Sequence, residues 1–183
     1  MLPKWWMALP PRWRPTALRL GFNWFPAWRA TGARVLQVAP DMGSLVVALP
    51  LHRGTRNAMG TLFGGALFAA TDGIHPTLLA LQLGPGYILW DKAGAIRYRR
   101  PGRTTLYGEF ALAPGEAAEV RRLVARDGEC ERTYTVLLKD SQGVVHTEVE
   151  RTVYIADKAF FRRKGAAGQG GEGLGSLSRG AGR

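Results

Sequence analysis

A chain of 183 residues, 46% hydrophobic and 21% charged, has the material for one domain with a real core and is short for two. No run is long and apolar enough to cross a bilayer, and Cys130 is the only cysteine, so an internal disulfide is excluded and the cytoplasm is the expected compartment. The net charge of +11 sits at the ends: residues 1–40 hold six basic side chains and no acid, a balance of +6, and residues 162–183 contribute +4, which leaves +1 for the whole middle and argues against nucleic acid as a partner.

Residues 1–32 form an aromatic-rich basic segment. Lys4 and the run Trp5–Leu9 are cut short by Pro10 and Pro11, so no signal peptide is expected. Five of the six tryptophans fall in the first 28 residues, and short helices fit around Thr16–Phe22 and Pro26–Thr31. Two readings stand. The segment is a lid that packs its aromatics on the domain, or residues 1–30 make a weak contact with a membrane surface, where Trp and Arg suit the head-group region. Residues 33–161 are the predicted domain, and the Gly-rich stretch 162–183 reads as a disordered tail.

Within the domain, Arg34–Val38 and Ser44–Leu49 read as strands joined across Pro40–Gly43. From Met59 to Leu83 small and apolar residues occupy nearly every face, which predicts a long buried helix with Asp72 two turns inside it. Four further strands follow at Tyr87–Arg100, Thr104–Ala113, Glu131–Lys139 and Val144–Ile155, the last two joined by the turn Asp140–Gly143. Between them, Pro114–Asp127 reads as a polar excursion off the sheet edge, with a short exposed helix as the alternative. Six strands around one apolar helix predict an α+β fold, an antiparallel sheet curled around a central helix.

The chemistry gathers in Arg56–Asp72. A polar loop carrying Asn57 leads to Gly64 and Gly65 at the helix start, where unpaired backbone N–H groups can stabilise an oxyanion. Asn57 offers a donor and an acceptor to a water or a carbonyl. Asp72 is a carboxylate in apolar surroundings, suited to base or nucleophile work if open to substrate, or a helix-to-sheet brace if bonded locally, to His75 for example. Pro76 is expected to kink the helix at the Asp72 carbonyl.

The spacing Asn57, Gly60, Gly64-Gly65, Asp72 resembles the phenylacetyl-CoA thioesterase-like branch of the hotdog superfamily. Together with Ile88–Lys92 and Arg100–Arg103 it is most similar to an uncharacterised hotdog family grouped with that branch, over about Leu20 to Asp157. The resemblance implies a homodimer or homotetramer that hydrolyses an acyl-CoA or acyl-carrier thioester. It needs no cofactor, since CoA enters only as part of the substrate. By position it implies Asn57 as orienter, the Gly64 N–H as carbonyl polariser, and Asp72, supplied by the neighbouring subunit, as base or nucleophile. Phe63 stands where that branch often has His, which removes one orienting hydrogen bond and makes the pocket more apolar. Gly65, Phe63, Phe68 and Trp90 are the acyl-side candidates. Arg97, Arg99, Arg100 and Arg103 are candidates for the CoA phosphates, or else a solvated basic rim. His52 and His146 lack partners at ligand spacing, so no metal is expected. The rival reading is a non-catalytic module that binds an acyl group on the same surface.

Overall fold

The computed structural model describes Trp6 and residues 9–169; residues 170–183 of the tail expected over 162–183, and Lys4 and Trp5, lie outside the described residues. The helices are α1 (Arg14–Trp24), α2 (Pro26–Ala30), α3 (Gly64–Ala69), α4 (Ile74–Leu83), α5 (Glu116–Asp127) and α6 (Lys158–Gln169). The strands are β1 (Arg34–Val38), β2 (Ser44–Leu49), β3 (Tyr87–Tyr98), β4 (Leu106–Ala111), β5 (Glu129–Lys139) and β6 (Val145–Asp157). They form one antiparallel sheet in the order β1-β2-β4-β5-β6-β3, so β1 and β3 are its two edges. The architecture is the α+β arrangement expected, a curled sheet with helices in its concave face.

Period-two alternation decides what faces the helices. On β6 the inward positions are Thr147, Val149, Arg151, Val153 and Ile155, all buried. On β5 they are Cys130, Arg132, Tyr134, Val136 and Leu138. The larger core joins Leu45, Val47 and Leu49 of β2 and Phe110 of β4 to Leu67, Ile74 and Leu78, and takes in Trp6, Leu18 and Trp28 from the N-terminal segment. A smaller one packs Leu79 and Leu83 on Val120, Val124, Val153 and Ile155.

Three expectations are corrected. The central helix is not continuous. It breaks after α3, the chain crosses Ala70–Gly73, and α4 restarts with Gly73 at φ +72°, a left-handed conformation that glycine adopts without a Cβ penalty. Pro76 therefore lies in the first turn of α4, where its missing N–H would have been unpaired anyway, and no kink arises. Second, Glu116–Asp127 is a full helix, not an excursion: Val120 and Val124 recur at helical spacing and bury against the sheet. Third, β6 runs straight into α6, which carries the chain as helix past residue 162, where the tail was expected to begin. Asp157 caps it, accepting the N–H groups of Ala159 and Phe160 at Oδ1, both at 2.9 Å.

The two sheet edges differ. Asn23 of α1 lies on β1 like a short extra strand: its Nδ2 donates to the Val35 carbonyl at 2.9 Å and its Oδ1 accepts the Val35 N–H at 2.8 Å. That blunts the β1 edge. Among the described residues, the 12 residues of β3 pair on one side only, with β6, and Ala93, Gly94 and Ala95 stand exposed on it.

Candidate functional site

The site is built from the loop before α3, the break between α3 and α4, and the strands β3 and β6. Asn57 closes the loop on itself. Its Oδ1 accepts the N–H groups of Met59 at 3.0 Å and Thr61 at 3.1 Å, its Nδ2 donates to Thr61 Oγ1 at 3.0 Å, and its own N–H bonds the Thr61 carbonyl at 2.8 Å. The carboxamide thus holds the loop closed through two backbone N–H groups and the Thr61 hydroxyl. The loop is clipped to its neighbours by Leu62 N–H to the Gly102 carbonyl and Phe63 N–H to the Thr55 carbonyl, both at 2.8 Å. Phe63 caps α3 in extended conformation, its exposed ring lying against Gly65 where a Cβ would collide with it. Intrahelical bonding starts with Leu67 N–H to Phe63 O at 3.1 Å, which leaves the N–H groups of Gly64, Gly65 and Ala66 without helical partners. Tyr98 of β3 ties the helix start to the sheet, its hydroxyl donating to the Gly64 carbonyl at 3.1 Å.

Asp72 is not buried. It sits in the break with its side chain 64% exposed, and it touches Arg151 rather than His75, with Arg151 Nη1 donating to Asp72 Oδ1 at 3.1 Å. The Arg151 side chain is only 6% exposed. Its Nη2 donates to the Phe68 carbonyl at 2.6 Å and its Nε to Thr71 Oγ1 at 3.1 Å, while the guanidinium lies over the Phe68 ring at 3.9 Å. One inward-facing arginine thereby holds the last turn of α3 and the acid that follows it. Gly94 makes room: a Cβ there would fall 2.8 Å from Phe68 Cζ and 3.3 Å from Arg151 Cδ.

A second carboxylate lies beside the first. A bulge between Asp91 and Ala93 shifts the parity of β3, so that Leu89 and Asp91 face the helices before it and Gly94, Ile96 and Tyr98 after it. Asp91 Oδ2 accepts the Gly73 N–H at 2.7 Å, fixing the break, and its buried Oδ1 has no donor among the described residues. Burial raises the Asp91 carboxyl above the usual carboxylate range, opposed by the Gly73 N–H and Arg151 and reinforced by the neighbouring Asp72.

The remaining candidates divide. Phe68 is half-buried under Arg151 and belongs to the site. Trp90 lies on the opposite, convex face, packed on Tyr154 at 4.4 Å and Phe161 at 5.5 Å between ring centres, and is not brought to it. Arg97 and Arg99 share that convex face, with Arg99 paired to Glu148. Arg100 and Arg103 flank Gly102 beside the Asn57 loop and are exposed. Arg151 and Tyr98 were absent from the sequence candidates, whereas Asp91 stood out as a charge within an apolar strand that could lie near the mouth of the site. The readable signal for Arg151 was a charge at an inward position of the Val149–Ile155 register. No cluster of metal-ligating side chains occurs among the described residues.

His75 belongs to another cluster. It stacks on Tyr134 at 4.3 Å, and the Tyr134 hydroxyl donates to Glu116 at 2.7 Å; Arg132 grips the same carboxylate at 2.8 and 2.9 Å, tying α5 to β5. Burial, helped by Arg151, lowers the His75 pKa from 6.5 to about 4. The unfolded chain takes up that proton first, so this contribution to stability is complete above pH 6.5 and is lost as pH falls towards 4. Urea unfolding midpoints should drop over that window, and His75→Phe, which keeps the stack and cannot be protonated, should flatten the drop. An unchanged slope in the variant would refute this role.

No curated protein sequence matches the chain significantly. Among solved structures, a protein of unknown function from Pseudomonas aeruginosa described as a probable thioesterase aligns with a TM-score of 0.68 at 22% identity, covering 78% of this chain and 96% of that one. A thioesterase from Haemophilus influenzae aligns with a TM-score of 0.57 at 13% identity, covering 76% and 88%. The E. coli PaaI protein, from the phenylacetic acid degradation operon, aligns with a TM-score of 0.54 at 16% identity, covering 79% and 92%. At these identities the likeness establishes the fold, that of thioesterase-like hotdog proteins. Residues 18–155 match the family described as a domain of unknown function, DUF4442, and the chain belongs to that family.

Proposed function

We propose that the protein is a thioesterase that acts as a homo-oligomer on acyl-CoA or acyl-carrier thioesters with an apolar acyl group. The observation that carries this reading is an exposed acid, Asp72, held in place by a buried arginine at the end of a helix whose other end presents unpaired glycine N–H groups. Gly64 opens α3 and Asp72 lies beyond its last residue, Ala69, and the six residues of α3 alone span roughly 9 Å along the axis. A tetrahedral centre needs its base and its oxyanion donor each within about 3 Å, so one chain cannot supply both. Two copies can, with Gly64 of one facing Asp72 of the other. The open β3 edge supports such a pairing, since a long unpaired edge strand is normally covered.

In this arrangement Asp72 takes a proton from water as the water oxygen bonds to the thioester carbon. The carbonyl oxygen becomes an oxyanion and accepts the Gly64 N–H. Collapse breaks the C–S bond, and the thiolate leaves with the proton returned from Asp72. Phe63 and Phe68 line the acyl side. Arg100 and Arg103, near the loop, suit the CoA phosphates.

Phe63 favours one rival, since a phenyl ring cannot hydrogen-bond a thioester: a module that binds acyl groups without turning them over. A panel of acyl-CoAs assayed with a thiol reagent, alongside light scattering for mass, separates the two. Thiol release by a dimer or tetramer is expected. Tight acyl-CoA binding without release from any member would replace the thioesterase reading with the binding one, and a strict monomer that still turns over would remove the shared site.

A further inference from the structure

The N-terminal segment divides its aromatics between two jobs. Trp6, Leu18 and Trp28 enter the core, and Phe22 packs against it. On the exposed side of the N-terminal segment, Trp13, which caps α1, and Leu20 and Trp24 within it recur at intervals of seven and four residues, one stripe at helical spacing, followed by Phe25, and all four are exposed. Trp24 is 71% exposed and Phe25 59%. A helix that is apolar on the side turned away from its own domain marks an interaction surface.

The charge around the stripe is of one sign. Arg12 and Arg19 adjoin Trp13 and Leu20 in the chain, and Arg29 and Arg34 line a groove with Leu20 and Trp24; none of the four is in an ion pair among the described residues, and no acid occurs in the chain before Asp41. The Arg29 guanidinium lies 5.9 Å from the centre of the Trp24 ring. A groove of about 480 Å³ between α1, α2 and the start of β1 opens beside them, lined by Leu20, Trp24, Arg29, Arg34 and His52 among others.

We propose that the α1–α2 surface docks on an anionic lipid bilayer. Trp13, Leu20, Trp24 and Phe25 would enter the boundary between head groups and acyl chains, and the four arginines would meet lipid phosphates. A nucleic acid would use the arginines and leave the aliphatic and aromatic stripe in water. Because α1 covers the β1 edge, docking there leaves the β3 edge and the Asp72 site at the other end of the sheet. The proposal therefore stands independently of the thioesterase reading.

Sedimentation of the full-length protein with vesicles tests it. Pelleting is expected with phosphatidylcholine–phosphatidylglycerol vesicles, not with phosphatidylcholine alone, and weakening with salt. The double variant Trp24→Ser/Phe25→Ser should partition about tenfold less, as should Arg12→Gln/Arg29→Gln, with melting temperatures unchanged because these side chains are exposed. Absence of pelleting, equal pelleting on neutral vesicles, or pelleting that the aromatic variant shares would overturn the proposal. Retention on heparin without vesicle binding would assign the arginines to another polyanion and overturn it equally.

Discussion

Asp72→Asn should reduce acyl-thioester turnover by about 100- to 10,000-fold, the usual contribution of a general base, and leave the fold intact. The substitution removes proton affinity and almost nothing else. An asparagine carbonyl can still accept from Arg151 Nη1, and a side chain that is 64% exposed contributes little to packing. The loss should therefore fall on kcat, with thermal unfolding within about a degree or two of the parent. The control is Asp41→Asn, a loop carboxylate that among the described residues accepts only the N–H of Gly43, two residues on. Activity retained in Asp72→Asn would remove the acid from the chemistry. Activity lost together with the fold would show instead that Asp72 is a structural brace, the reading left open by its ion pair.

The largest effect on stability should come from Arg151→Leu, a loss of about 2–4 kcal/mol in urea unfolding. Little of that comes from the ion pair, because Asp72 remains hydrated when its partner goes. It comes from the Phe68 carbonyl and the Thr71 hydroxyl, which lose their donor inside the protein, and from the ring face of Phe68, left without the guanidinium. Arg151→Lys keeps the charge but not the three-way fork, so it should recover less than half of the loss. Both variants release the turn that carries Asp72 and should impair turnover as well. A Leu variant within about 0.5 kcal/mol of the parent would mean that the break between α3 and α4 is held by Asp91 and Gly73 alone.

The sequence by itself determined the strands, the apolar helical stretch between the second and third of them, and the short N-terminal helices. These are local properties: alternation with period two, a run with no polar face, and prolines that open or close a helix. It also singled out the loop, the glycine pair and the acid, because a polar loop, two adjacent glycines and a lone carboxylate stand out against an apolar run. Whether Asp72 was buried could not be read locally. It depends on the left-handed Gly73, which interrupts the helix, and on Arg151, 79 residues further on and brought opposite by the pairing of β6 with β3. The helix Glu116–Asp127 was legible in Val120 and Val124 but masked by its charges, and only the surface it packs on shows that its Glu116 is an inward-facing brace. Tertiary structure alone decided that Trp90 and Arg99 lie across the sheet from the acid, because a bulge at Asp91–Ala93 changes which side chains of β3 face inward. A residue's neighbours along the chain set its conformation, but only long-range pairing sets what stands in front of it.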